Sequence, residues 1–319
     1  MTGLEERFMP LIRKLNKYIL SNSQSGQYLL NRSIKEIVNA GGKRLRPLLV
    51  ILSAKLGDYR EEKIFNIASA FELLHTATLV HDDIIDRAIL RRNKLTLQKK
   101  FGRGAAIFVG DFLLNRAFTV FTEHLSYPTL RQLNKVEKLI CEGEVRQYEE
   151  RFNYNISVYE YLRRIRRKTA VFFGFSTFVG AYESGIRSQK LNILYNIGLQ
   201  MGMAFQIQDD IFDYVGNKKK IGKAVGKDLN EGIATLPVIC LLQDKEYGKK
   251  ARKLLSEQRL TEEDKKQIVK MIKDGDSLKK SRRLSKRYFK RAVRYLNLLP
   301  DRQRRDLEFI LNWQMNRNK

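Results

Sequence analysis

The chain has 319 residues, is 43% hydrophobic and carries 61 Lys+Arg against 35 Asp+Glu, a formal net charge of +26; that is enough apolar content for a sizeable core and enough charge to favour anionic partners. Such figures exclude a tail or a linker. No window approaches the roughly twenty uninterrupted apolar residues of a membrane span, and the N-terminal MTGLEERFMPLIRKL lacks the basic, apolar and small-residue order of a signal peptide, so a cytoplasmic protein is expected.

Five prolines in the chain, with apolar residues recurring at three and four, predict an almost wholly helical protein without an alternating strand. Polar or glycine-bearing stretches separate the helices: SNSQSGQ (21–27), AGGKRLRP (40–47), LGDYREE (56–62), FGRG (101–104), FNYNIS (152–157) and GNKKKIGKAVGKDLNEG (216–232). Pro47 suits the first turn of the helix after GGKRLR, and Ser157 with Glu160 forms a capping-box pattern. None of these breaks is long enough for a linker, so residues 1–319 are expected to form one all-α domain. Cys141 and Cys240, in apolar helical contexts and without CxxC spacing, are expected to be buried free thiols.

From Lys245 to Lys319 there are 24 Lys+Arg against 10 Asp+Glu, so +14 of the +26 falls in the last 75 residues. The run KKSRRLSKRYFKRAVRYL carries apolar positions at Leu284, Tyr288, Ala292 and Tyr295, on one helix face. It reads either as a core-packed helix with a solvated basic face, or as a peripheral contact that holds the protein at the inner face of an anionic membrane. Nucleic acid is not an expected partner, because no recognition module accompanies the basic runs.

Two segments repeat one pattern. LVHDDIIDRAILRR and FQIQDDIFDYVGNKKK both set Asp-Asp-apolar-apolar-Asp at the C-terminal part of an apolar helix, ahead of basic residues. Asp82, Asp83 and Asp86 share one helical patch at spacings of three and four, and so do Asp209, Asp210 and Asp213. Three like charges so close repel, and a cation relieves the repulsion. Hard oxygen ligands suit Mg²⁺, which is usually held by one or two carboxylates plus substrate phosphates. Lys43, Arg44 and Arg46 follow two glycines in a loop open to an anion. Arg91 and Arg92 offer forks for phosphate oxygens; Lys168-Thr169, Lys223 and Lys227 add further groups.

The series GGKRLRP, HTATLVHDDIIDRAILRR, GDFLL, GEVRQ, RRKTA, FQIQDDIFDYVG, IGKAVGKDL and TLP, in that order from about Leu30 to about Leu242, resembles the all-trans polyprenyl diphosphate synthases. It resembles in particular the catalytic subunit of bacterial two-component hexaprenyl and heptaprenyl diphosphate synthases of menaquinone biosynthesis. The resemblance implies an isoprenoid-synthase helical bundle around a deep central cavity, with the two Asp motifs facing each other at its mouth. It implies Mg²⁺-dependent condensation of isopentenyl diphosphate with an allylic diphosphate such as farnesyl diphosphate. Lys43, Arg46, His75 and Arg92 match the isopentenyl diphosphate site, and Arg91, Lys168, Thr169, Gln206 and Lys223 the allylic diphosphate site. Asp82, Asp86 and Asp209 match the leading metal ligands, with Asp83, Asp210 and Asp213 in support; Asp82, Asp83, Asp86, Lys168, Asp209 and Asp210 form the catalytic set. Without the resemblance, His75 and His81 both read as satisfied helix histidines.

Arg87, Asn93, Leu95 and Ile233 depart from the family pattern, Ile233 standing where many relatives have lysine. Ala77 and Thr78, small residues just before Asp82, imply a product of about C30 to C40, with Phe71, Leu74 and the AAIFVGDFLL helix setting any deeper floor. Two other readings stay open: a class I terpene cyclase, which would lack the second Asp motif, and a non-catalytic subunit. A homodimer and a heterodimer with a small regulatory subunit are both open.

Overall fold

The computed structural model describes residues 3–215, 226–256 and 260–316, with backbone only at Ser188, Arg302 and Gln303. Helices dominate the described residues, in order α1 (Gly3–Asn22), α2 (Tyr28–Asn39), α3 (Leu45–Ala54), α4 (Glu61–Ile85), α5 (Leu97–Phe101), α6 (Arg103–His124), α7 (Tyr127–Glu149), α8 (Val158–Ile165), a π-helical turn (Arg166–Ala170), α9 (Val171–Glu183) and α10 (Ser188–Val215). After them come α11 (Lys227–Asn230), α12 (Leu236–Leu242), α13 (Gly248–Leu255), α14 (Glu262–Asp274), α15 (Ser277–Leu296) and α16 (Asp301–Met315). The all-α class is as expected. One exception is a hairpin of β1 (Leu90–Arg91) and β2 (Lys94–Leu95), too short for an alternating pattern to register.

Contacts divide the chain into two compact units. The first comprises Met1–Lys135, Phe175–Gly198 and Tyr295–Lys319, and the second Val136–Gly174 and Leu199–Arg294. In the first unit, Leu4, Phe8, Ile12, Leu15 and Ile19 of α1 are buried at spacings of four and three, so one stripe packs along α4. Helix α3 is buried almost throughout, with Pro47 in its first turn, and α4 runs against α1, α3 and α6. Phe71 of α4 lies edge-on to Phe121 at 5.4 Å and tilted against Phe175 at 5.7 Å, which makes an aromatic floor inside this unit. Among the described residues only α6 has the length and apolarity to cross a membrane. Asp111, Asn115 and Arg116 interrupt it, and it packs along α4, so the absence of an uninterrupted apolar run holds.

In the second unit, the capping box expected at Ser157 and Glu160 starts α8. Arg164 is buried, donating to the Ala234 carbonyl at 2.5 Å and pairing at 3.1 Å with Glu150, the residue after α7. Helix α15 turns Ser277, Ser281, Ser285 and Ala292 inward, one of them donating to the Ala204 carbonyl of α10 at 3.3 Å. The buried seam is therefore centred on small residues beside the apolar positions read from the sequence, with Tyr288 and Tyr295 half-buried at its edge. Cys240 is a buried free thiol; Cys141 is free but exposed, because its position on α7 faces out.

Glu137 on α7 is mostly buried and its Oε1 has no hydrogen-bond partner among the described residues; burial pushes its carboxyl from 4.5 up to about 7. The folded chain thus holds that proton where the unfolded chain releases it, and stability falls as pH rises between those two values. Glu137→Gln mimics the protonated acid. Urea unfolding is expected to show it matching the wild type at pH about 4 and exceeding it by about 2 to 3 kcal/mol at pH about 8.

Candidate active site

In the first unit, α4 ends on the first acidic motif: Asp82 and Asp83 fall in its last turn and Asp86 is its C-cap. Its carbonyl end adds negative potential to the carboxylates, which favours a cation there. The three acids do not share one environment. Asp82 and Asp86 are half-exposed, whereas Asp83 is buried and accepts from Arg91 Nε at 2.9 and 2.8 Å. Gln98 of α5 donates to the Asp83 carbonyl, which ties the segment after the motif back to α4.

Arg91 is carried by the hairpin, whose two turn residues Arg92 and Asn93 both adopt positive φ, 52° and 61°. Two left-handed residues make the type I′ geometry that fits the twist of paired strands. Asn93 adopts it readily, so the loop closes with no glycine or proline at 91–96. Arg92 reaches from this turn to the Gly41 carbonyl. A Cβ on Gly42 would meet Arg92 Nη1 at 2.6 Å, so the second glycine of GGKRLRP leaves room for that guanidinium.

Lys43 lies 5.4 Å over the ring of Trp313 and Arg46 is half-buried. His75 is enclosed by packed atoms although part of its surface reaches solvent. Burial, then Arg46, Arg92, Arg91 and Arg44, hold its imidazole well below the ordinary range. Lys43, Arg46, His75 and Arg92 therefore lie in one unit, with Arg46 and Arg92 among the cations close to a neutral histidine. Arg44 has a different task from its two neighbours. It is the left-handed N-cap of α3, buried, paired with Glu72 of α4 and donating to the Val38 carbonyl at 3.1 Å. His81 pairs with Asp111 of α6 at 3.2 Å.

In the second unit, Asp209 and Asp210 lie in α10 two turns before its end and Asp213 in its last turn. Asp209 is half-exposed. Asp210 is buried, accepting from Tyr161 Oη at 2.6 Å and Gln206 Nε2 at 2.8 Å; burial pushes its carboxyl up to about 6 against those hydrogen bonds. Asp213 accepts from the backbone N–H groups of Lys227 and Asp228, both at 3.0 Å, and so fastens α11 to α10. Burial, with Asp213 and Asp210 alongside, holds Asp228 well above the usual carboxylate range.

Lys168 and Thr169 occupy the π-helical turn, a geometry that re-aims side chains out of an α-helical run. Thr169 donates to Gln206 Oε1 at 2.8 Å, so Thr169, Gln206, Asp210 and Tyr161 form one hydrogen-bonded chain. Lys168 pairs with Glu144 of GEVRQ at 2.6 Å. Gly143 makes that approach possible, since a Cβ there would meet the Lys168 amide nitrogen at 3.0 Å. The pair is partly solvated, worth about 0 to 1 kcal/mol, so a phosphate could replace Glu144. Lys223 lies outside the described residues. Ile233 is buried.

Among the described residues no three His, Cys, Asp or Glu side chains form a metal cage. The donor chemistry fits Mg²⁺ all the same. Half-exposed carboxylates at Asp82, Asp86 and Asp209 supply hard oxygens, and this ion is commonly completed by water and phosphate. The carboxylates of Asp83, Asp210 and Asp213 accept from Arg91, from Tyr161 and Gln206, and from the α11 amides respectively. Sequence reasoning missed Glu72, Tyr161 and Asp228 and gave Glu144 no role. Only Glu72 left a signal, a lone acid in the apolar run SAFELLHT that needs a buried cation.

Residues 27–272 match the Polyprenyl synthetase family model. The heptaprenyl diphosphate synthase component 2 of Bacillus subtilis is 37% identical over 272 residues, 85% of this chain and 78% of the relative. The crystal structure of heptaprenyl diphosphate synthase from Staphylococcus aureus superposes with a TM-score of 0.92 at 33% identity, covering 97% of this chain and 98% of that one. A polyprenyl synthase from Caulobacter crescentus, solved with calcium and isoprenyl diphosphate, gives 0.91 at 31% identity, covering 99% and 97%. The chain belongs to the polyprenyl synthetase family. It is an enzyme, a prenyltransferase of the polyprenyl diphosphate synthase type.

Proposed function

We propose that this chain extends an allylic diphosphate, farnesyl diphosphate being the primer expected, with isopentenyl diphosphate to an all-trans polyprenyl diphosphate of about C30 to C40 for quinone side chains. Residues 1–319 act as one synthase domain. The observation that carries this reading is the pair of acidic motifs, each leaving a half-exposed carboxylate at Asp82, Asp86 or Asp209 beside a buried, hydrogen-bonded one.

In each cycle the allylic carbon–oxygen bond breaks, pyrophosphate leaves, the double bond of isopentenyl diphosphate forms the new carbon–carbon bond, and a proton is lost. Negative charge grows on the departing diphosphate, so fixed cations aimed there lower the barrier. Held at Asp82 and Asp86 in the first unit, and separately at Asp209 in the second, Mg²⁺ would supply further positive charge against the diphosphate oxygens. Lys43, Arg46 and Arg92, with neutral His75 as a hydrogen-bonding group, are assigned to isopentenyl diphosphate. Arg91, Lys168, Thr169, Gln206 and Lys223 are assigned to the allylic diphosphate, Lys168 exchanging Glu144 for phosphate. No protein nucleophile is needed.

Chain length is assigned to α4 and its neighbours in the first unit. Ala77 is buried and small, and Thr78 turns its hydroxyl back to the His75 carbonyl, so neither blocks a tail. A helix rises about 1.5 Å per residue, which sets Phe71 about 16 Å before Asp82 along α4. The Phe71–Phe121–Phe175 cluster is the floor of this reading. Phe71→Ala is expected to shift the longest product upward by at least one isoprene unit, read by chromatography of the dephosphorylated products. An unchanged length distribution would remove Phe71 from that role.

The partner is a second copy or a small second subunit, met by the apolar α6, which leaves Ile107 and Phe108 exposed. Reading the mass of the purified chain by light scattering, alone and with a candidate second subunit, distinguishes the two. The assay for the whole reading is incubation with farnesyl diphosphate and labelled isopentenyl diphosphate, with and without Mg²⁺. Metal-dependent extension past C20 supports it, and a product ending at C15 or C20 contradicts it.

A further inference from the structure

We propose that the basic face of α15 is a docking surface for an anionic lipid bilayer. The helix has nine Lys and Arg in 20 residues and no Asp or Glu. All nine are exposed. Lys279, Arg283, Lys286, Lys290 and Arg294 follow at spacings of four, three, four and four, which puts them on one side of the helix, with the remaining cations at its flanks. The only carboxylate paired with any of them among the described residues is Asp276, 3.8 Å from Lys279 at the helix start; Asp244 lies near Lys280 at the same end.

An ordinary solvated face interleaves its charges. Helix α14, in the same unit, does so: Lys265 pairs with Glu262 at 2.6 Å and Lys266 with Glu263 at 3.9 Å. On α15, Arg283, Arg287 and Arg291 instead repel one another at four-residue steps, as do Lys286, Lys290 and Arg294. A surface of negative charge relieves that repulsion. The opposite side of α15 is sealed into the unit through Ser281, Ser285 and Ala292, so the helix cannot insert an apolar face. It lies on headgroups by charge alone.

A bilayer fits this face better than a nucleic acid does. The stripe, from Lys279 to Arg294, is about 22 Å long at 1.5 Å per residue, and offers no exposed aromatic ring for base stacking. The choice of partner rests on the synthase reading as well, because a long polyprenyl tail has no stable home in water and must be passed to lipid.

Flotation of the full-length protein with vesicles needs no substrate, so its outcome is independent of the elongation assay. The protein is expected to float with phosphatidylcholine vesicles containing about one third phosphatidylglycerol, to stay down with pure phosphatidylcholine, and to be released between about 50 and about 500 mM salt. Arg283→Gln/Lys286→Gln/Lys290→Gln is expected to weaken binding about a hundred-fold, about five-fold per cation, with helix content and elongation of short primers in detergent unchanged. Lys265→Gln/Lys266→Gln/Lys270→Gln removes the same charge from α14 and is expected to change binding less than about five-fold. Equal weakening by both triple variants would mean diffuse net charge and overturn the proposal. Binding to neutral vesicles, or stripping of the protein from lipid by duplex DNA at equal phosphate concentration, would overturn it too.

Discussion

Replacing Asp82 with alanine is expected to cut elongation by about three orders of magnitude or more, the scale on which charge stabilisation of a leaving group acts, with melting behaviour close to wild type. The reason is its setting. Asp82 is half-exposed at the carbonyl end of α4, with Asp86 one turn on, so its removal opens no cavity in the core. Asp83→Asn should behave differently. It weakens both contacts to Arg91 Nε and loosens the hairpin that also carries Arg92, so activity and stability should fall together. Steady-state rates beside urea unfolding separate the two. An Asp82→Ala enzyme with unchanged turnover would leave the acidic motif without a catalytic part and revive the non-catalytic subunit.

The second large effect is on stability. Arg44 and Glu72 form an ion pair in which both side chains are almost wholly buried, at 3% and 6% exposure. Removing one partner strands the other charge out of water, so Arg44→Met is expected to lower the unfolding free energy by about 3 to 5 kcal/mol. Arg44→Met/Glu72→Leu removes both charges and should regain most of that loss. The same pair fixes the N-terminus of α3 and hence the loop that carries Lys43, so the single variant should also raise the KM for isopentenyl diphosphate. If the double variant is as unstable as the single one, Arg44 acts through packing, or through its bond to Val38, instead of through the pair.

Helix placement was legible in the sequence because it rests on local signals: Pro47 in a first turn, the Ser157–Glu160 box, and acids repeated at the ends of two apolar helices. The candidate residues were legible as a set for the same reason. What each does was not, because that depends on partners far along the chain. The aspartates of DDIID and DDIFD look alike in one dimension, yet Asp83 is buried by Arg91 eight residues on and Asp210 by Tyr161 forty-nine residues back. Arg44 reads as a twin of Arg46 until Glu72 is brought to it. The hairpin at 90–95 was illegible because two-residue strands carry no alternation; only Asn93 hints at its turn. Phe71 was named as a floor from its distance to Asp82, and its rings of contact, Phe121 and Phe175, come from the fold.

The central claim is that each turnover joins two substrates, and the measurement closest to it is stoichiometry. Pyrophosphate released is counted against labelled isopentenyl diphosphate incorporated, with farnesyl diphosphate as primer and Mg²⁺ present. One pyrophosphate for each isopentenyl unit in a lengthened linear diphosphate is the predicted result. Pyrophosphate released from farnesyl diphosphate in the absence of isopentenyl diphosphate, with a cyclic hydrocarbon as product, would contradict it and make the chain a terpene cyclase.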